Sequence, residues 1–204
     1  MKAQDEVNLH EPYPDPHHTM YSKTIFGFWL YILSDFMLFA TLFATYLVLA
    51  PSTFGGPSAK ELFHLPFGMV LSFLLLASSY TSGLGTASAH RKDQKWTLIF
   101  YGITFLLGLL FFSMELTQFI EMIKSGNSWT KSGFLSAFFN LAGMHMLHLF
   151  FALVWIPILL IPVWRSGITS QSLIRLACLK MFWQFLNVVW IFIFTALYIV
   201  GSNV

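Results

Sequence analysis

FLSAFFNLAGMHMLHLFFALVWIPILLIPVW, residues 134–164, contains no Asp, Glu, Lys or Arg, yet His145 and His148 stand near its middle. An apolar run of this length reads as a membrane-spanning helix, because about 20 residues cross the ~30 Å hydrocarbon core. An ionisable group at mid-span is costly, about 2.5–3.5 kcal/mol for a charge on insertion scales. Histidine enters neutral at lower cost, but its ring nitrogens still need hydrogen-bond partners. Three residues apart on a helix, the two imidazoles share one face, so a neighbouring span is expected to answer them.

The rest of the chain fits that reading. Of 204 residues, 56% are hydrophobic and 10% charged, with 23 Phe. A soluble domain carries about 25% charged residues, so this composition belongs to a membrane protein and leaves little room for a separate soluble domain. A net charge of +2 gives no footing for nucleic acid. A single cysteine, Cys178, excludes an internal disulfide. Neither Cys-x-x-Cys-His nor His-Glu-x-x-His occurs.

The expected fold class is all-α, a polytopic membrane helix bundle of five transmembrane helices. Residues 1–24, with Pro12, Pro14, Pro16, His10, His17 and His18, read as a flexible polar tail rather than a metal site. Residues 25–204 form the membrane domain, with spans at about 25–50, 66–89, 96–120, 134–164 and 177–200. Pro51 and the Gly55-Gly56-Pro57 turn end the first span. In the second, Ser79, Gly83 and Ala87 repeat every four positions, a small-xxx-small row that lets helix backbones approach. Pro157 and Pro162 each remove a backbone donor from the fourth span and should kink it.

Five spans put the termini on opposite sides. One set of loops holds Lys2, Lys23, Arg91, Lys92, Lys95, Arg165 and Arg175; the other holds Lys60, Lys124 and Lys131. Basic loops stay cytoplasmic, which predicts a cytoplasmic N-terminus and a periplasmic C-terminus. Lys180 then falls near the inner end of the fifth span, where its stem can snorkel.

The intramembrane polar residues are the candidate site. Asp35 in the first span and His145 in the fourth are expected at comparable depth from opposite sides, so that the two meet near the midplane. Glu115, near the end of the third span, is expected closer to the outer surface, with Glu121 beyond it. Gln184 and Asn187 in the fifth span share a face and are expected to bond between helices, and Trp183 and Trp190, seven apart, to pack. His145 and His148 read first as satisfied core histidines. A bis-histidine haem needs a ligand from each of two helices, and a copper or iron centre needs three or more donors. Two alternatives stay open on the residues alone: a membrane cytochrome with His145 or His148 on a b-type haem, and a small proton-coupled transporter built on Asp35 and Glu115. Against the transporter stands the lack of a broken-helix pair in corresponding halves. The residues by themselves give a five-helix bundle with a polar seam, no catalytic residue, and no metal or cofactor ligand set.

Four stretches carry a more specific likeness: Phe26-Gly-Phe-Trp29 with Ser34-Asp35, Ser132-Gly-Phe-Leu-Ser136-x-Phe-Phe139, Gly143-x-His145-x-x-His148, and Trp183-Gln-Phe-Leu-Asn-Val-Val-Trp190. In this order the chain resembles subunit III of the haem–copper respiratory oxidases, from about Lys23 to Ser202. Its five-span length and the Gly55-Gly-Pro-Ser-x-Lys-Glu-Leu-Phe-x-Leu-Pro66 loop most resemble the bacterial bo-type ubiquinol oxidase branch. The resemblance implies a subunit of the bacterial inner membrane that binds no haem or copper itself. It implies packing against the catalytic subunit I, which holds those cofactors, contacts with subunit II and a small subunit IV, phospholipid at the surface, and support for proton uptake. Asp35 matches the family's buried acidic position, and His145 and His148 its His-x-x-His. Three positions depart: Gln184 stands where the family has His, Asn187 where it has Asp, and Gln118 where an acid is frequent. Each departure exchanges a titratable group for an amide, which puts a proton relay through the fifth span in doubt.

Overall fold

The computed structural model describes residues 16–54, 62 and 65–200, and among them every regular element is helical. Five helices follow one another: α1 (Pro16–Leu49), α2 (Leu65–His90), α3 (Gln94–Lys124), α4 (Gly133–Ser166) and α5 (Ser170–Phe194), the last widening into a π-helical stretch, Thr195–Val200. Each is long and apolar enough to cross a membrane, so the five-span expectation holds.

Two boundaries differ from the sequence reading. Residues 16–24, expected as tail, are the first turns of α1. Pro16 opens that helix, where a missing N–H has no partner to lose; residues 1–15 lie outside the described residues, as does the Gly55-Gly56-Pro57 turn. The fifth helix starts at Ser170, seven residues before the expected 177. Residues 170–176 are polar enough to look like loop, but Thr169 caps them, its Oγ1 accepting from Ser172 N at 3.2 Å. The same device starts α4, where Ser132 Oγ accepts from Leu135 N at 3.1 Å. Pro157 and Pro162 both lie within α4, which continues through them.

The connections are tight. Gly167, at φ +75°, closes α4 by donating its N–H to Val163 O at 3.0 Å. Gln94, at the start of α3, donates its amide to Val163 O and Trp164 O, both at 2.9 Å, covering carbonyls that the end of α4 leaves free. At the opposite end of the bundle, Phe134 N donates to Ser52 O at 3.2 Å.

The bundle is organised around α5. Of its apolar window 61% is buried, against 22% for α1. It packs against α2 and α4 and receives α1 along one side, while α2 and α3 form the most extensive pair. Large aromatic side chains fill the interior, among them Trp183, Tyr101, Phe39, Phe111 and Phe134.

Candidate functional site: an intramembrane polar seam

Only Ile32, Asp35, Phe39 and Tyr46 are buried on α1, among the residues whose burial is described. Their spacing of three, four and seven makes a single narrow stripe. Asp35, 13 residues from Ser22 and so roughly 20 Å into the span, places Oδ2 at 3.6 Å from His148 Nε2. Its expected partner was His145. Three residues on a helix differ by about 60° in direction, enough to send the two rings to different neighbours. The His148 ring faces α1, lying 5.3 Å from Phe39 and 6.2 Å from Phe182. Its Nδ1–H donates to Met144 O at 2.8 Å, one turn back, which fixes the ring and leaves Nε2 turned to the acid.

His145 is completely buried and faces α5. Its Nε2–H donates to Leu186 O at 3.2 Å. The ring sits 5.6 Å from Trp190 and 6.1 Å from Phe111, which themselves meet edge to face at 4.8 Å. One imidazole therefore ties α4 to α5 and the other ties α4 to α1.

Glu115 is buried on the inward stripe of α3 with Phe111 and Gly108. Its Oε2 has no hydrogen-bond partner. It stands nine residues from Lys124, about 14 Å from the helix end, because α3 runs a turn past residue 120.

The pair in the fifth span separates. Asn187 is buried, but its Nδ2 donates to Trp183 O at 2.8 Å in its own helix, and Oδ1 has no partner. Gln184 is exposed, with no hydrogen bond to the other described residues. Neither amide bonds to another helix among the described residues, since the inward stripe of α5 (Leu179, Trp183, Leu186, Trp190) includes Asn187 at its edge and leaves Gln184 outside. Trp183 and Trp190 pack as expected and also bond across to α2: Trp183 Nε1 donates to Ser78 Oγ at 3.1 Å, and Trp190 Nε1 to Ser72 Oγ at 3.0 Å.

The small-residue row needs correction too. Ala87 is exposed, Ser79 half-buried, and a Cβ built on Gly83 meets nothing within 4 Å. The close approach lies one residue over, along Ser78, Ser82, Gly85 and Ala89. A Cβ on Gly85 would come within 2.8 Å of the Tyr101 ring. Tyr101 is itself fully buried, its hydroxyl 2.8 Å from Thr86 Oγ1. Thr81 and Thr104 add a second hydroxyl pair at 2.8 Å.

Sequence reasoning missed Ser72, Ser78, Tyr101 and Gly108. The signal was the hydroxyl-rich face of α2 opposite the two tryptophans, but matching indole to hydroxyl requires the rotational phase of both helices. Among the described residues, no group of three or more His, Cys, Asp or Glu comes together where it would share a metal ion. The contacts of the seam run between helices: ring to carboxyl, ring to carbonyl, indole to hydroxyl.

The comparisons with known proteins decide the family. The model of cytochrome c oxidase subunit III matches residues 7–202. The chain belongs to that family. A Pseudomonas aeruginosa relative named cytochrome bo(3) ubiquinol oxidase subunit 3 is 45% identical over 188 residues, 92% of this chain and 90% of its own length. One of the same name from Buchnera aphidicola is 40% identical over 182 residues, 89% of this chain and 94% of its own length. The cytochrome c oxidase subunit 3 of Bacillus sp. strain PS3 is 40% identical over 189 residues, 92% of this chain and 91% of its own length. In this subunit III family member, the histidines and Asp35 make contacts that join α4 to α1 and to α5.

Proposed function

We propose that this chain is the non-catalytic subunit III of a proton-pumping terminal ubiquinol oxidase in the bacterial inner membrane. The complex oxidises quinol and reduces dioxygen to water. Haem and copper reside on the partner subunit I, and this chain packs against subunit I and keeps it in working shape. The observation that carries the reading is 45% identity across 92% of the chain to a relative named as a ubiquinol oxidase subunit. The geometry supports a structural role, since His145 and His148 already spend ring nitrogens on Leu186 O and Met144 O. The excess of Lys and Arg in alternate loops supports a cytoplasmic N-terminus.

The test is purification through a tag on this chain in mild detergent, followed by subunit identification, a reduced-minus-oxidised spectrum and oxygen consumption. A haem-bearing complex respiring on ubiquinol rather than reduced cytochrome c is the expected result. Removing this chain should leave early turnover near its starting rate and shorten the time for which activity lasts. Immediate loss of turnover, or a stoichiometric haem band from the isolated chain, overturns the assignment.

A part in proton uptake is supported by buried atoms with no hydrogen-bond partner among the described residues: Asp35 Oδ2, Glu115 Oε2 and His145 Nδ1. Glu115→Gln in the assembled oxidase tests it in vesicles. Fewer protons pumped per oxygen supports the role; an unchanged ratio overturns it for Glu115.

A further inference from the structure

Asp93 is the N-cap residue of α3, yet its carboxylate accepts no bond from the first turn of that helix. An aspartate in that place ordinarily spends an oxygen on the free N–H groups there. Arg91, two residues earlier, is exposed as well. Both line one cleft, and no ion pair or side-chain hydrogen bond joins either to another described residue. The turn that carries them is pinned: Asp93 N donates to Ser88 O at 3.1 Å and Lys92 N to Ala89 O at 3.0 Å. A cation and an anion therefore share a cleft without meeting.

The cleft encloses about 310 Å³. Arg91 and Asp93 fall between the span ending at His90 and the one beginning at Gln94, at the level of lipid headgroups. The rest of the wall is apolar, with Leu84 and Ala87 from α2 and Trp96 and Phe100 from α3. The two rings stack at 5.6 Å, and Trp96 is 56% exposed. Tryptophan suits this depth, since its ring fits the boundary between headgroup and acyl chain. One turn deeper than Ala87, a Cβ on Gly83 meets nothing within 4 Å, which leaves room beside α2 for a chain running into the membrane.

We infer that this cleft binds a phospholipid whose headgroup carries a primary ammonium, a phosphatidylethanolamine. Arg91 takes the phosphodiester, Asp93 takes the ammonium, and the Trp96–Phe100 shelf carries the start of an acyl chain. Charge complementarity selects this occupant. Guanidinium is a forked donor matched to phosphate oxygens, and a carboxylate accepts from an ammonium. A glycerol headgroup answers Arg91 but brings no cation to Asp93. A choline headgroup brings the cation without an N–H to donate. An acyl chain alone answers neither charge. The inference goes beyond the oxidase reading and needs only that the spans cross a bilayer.

The test places a photo-crosslinking benzoylphenylalanine at Leu84, a second at Phe100, and a control at Leu106, exposed on α3 and outside the cleft. The protein, purified through a tag on this chain with the subunits that accompany it, enters vesicles of equal phosphatidylethanolamine and phosphatidylglycerol with identical acyl chains. After irradiation, mass spectrometry sorts the lipid adducts on this chain by headgroup. The ethanolamine-to-glycerol ratio at both cleft positions should exceed that at Leu106 roughly threefold, within the worth of an exposed ion pair. Asp93→Asn should return the ratio to the Leu106 value or below it, and Arg91→Gln should lower the yield of both lipids at Leu84. A cleft ratio equal to that at Leu106 leaves only unselective surrounding lipid and overturns the inference. So does an excess of the glycerol lipid, a ratio unmoved by Asp93→Asn, or a link to another protein chain in place of lipid. Haem in the preparation, or its lack, bears on the oxidase assignment alone.

Discussion

At the scale of single residues, the contact between Asp35 and His148 is decided by which ring nitrogen is free. Nδ1–H is committed to Met144 O, so Nε2 meets Asp35 Oδ2, 3.6 Å away, favourably only with a proton between them. An amide at position 35 supplies such a donor permanently. Asp35→Asn should therefore hold subunit III in the complex as firmly as the native residue does, whereas Asp35→Ala and His148→Ala should each loosen it. A double-mutant cycle on thermal release of the subunit should give a coupling of about 0.5–1.7 kcal/mol. A coupling of the same size between Asp35 and His145 instead would contradict the geometry. The indoles offer a second test. Trp183→Phe keeps a ring in the core but removes the donor to Ser78 Oγ, and should cost about 0.6–2 kcal/mol in unfolding from detergent. Ser78→Ala should cost nothing further in that background.

At the scale of helices, the glycines separate packing from mere composition. Gly108 makes room on α3 for the Trp183 ring and the Leu153 side chain, since a Cβ there would stand 2.5 Å from Trp183 Cη2 and 3.0 Å from Leu153 Cδ2. Gly108→Ala and Gly85→Ala should each destabilise by about 1–3 kcal/mol through overpacking. Gly83→Ala and Gly102→Ala, where an added Cβ meets nothing within 4 Å, should be neutral or gain a few tenths from helix propensity. Melting midpoints of the four variants in one detergent make the comparison. The contrast also shows what sequence could and could not supply at this scale. That α2 approaches a neighbour closely was legible in its small residues. Which of two adjacent small-residue rows faces inward was not, because rows one residue apart differ only by a rotation of about 100°. That rotation is set by the bulk of Tyr101 and the two tryptophans on other helices. The starting points of α1 and α5 were hidden for a related reason: Pro16 acts through its fixed backbone angle and Thr169 through a side-chain cap on Ser172 N, neither of which hydropathy registers.

At the scale of the molecule, span number and the identity of the buried acid and imidazoles were readable, since apolar length and isolated polar groups are one-dimensional properties. Pairings were not. Depth along a span can be counted, but direction around the helix depends on the completed bundle, so the acid found the second histidine rather than the first. The fifth span shows the same limit: Gln184 and Asn187 look equivalent in sequence, yet one ends inside and one outside. The whole-subunit prediction follows from this distribution of contacts. Because α1 is held by one stripe while α2 to α5 embrace one another, limited proteolysis or hydrogen exchange on the detergent-isolated chain should show α1 opening first, with protection in α5 lost last.

That attachment has a consequence for how the chain is made. α1 touches mainly α4 and α5, which leave the ribosome after it. The counterpart of Asp35 lies 113 positions downstream, at residue 148, roughly ten seconds of synthesis at 5–20 residues per second. During biogenesis α1 waits in the bilayer, its carboxyl without its imidazole, until α4 arrives to receive it.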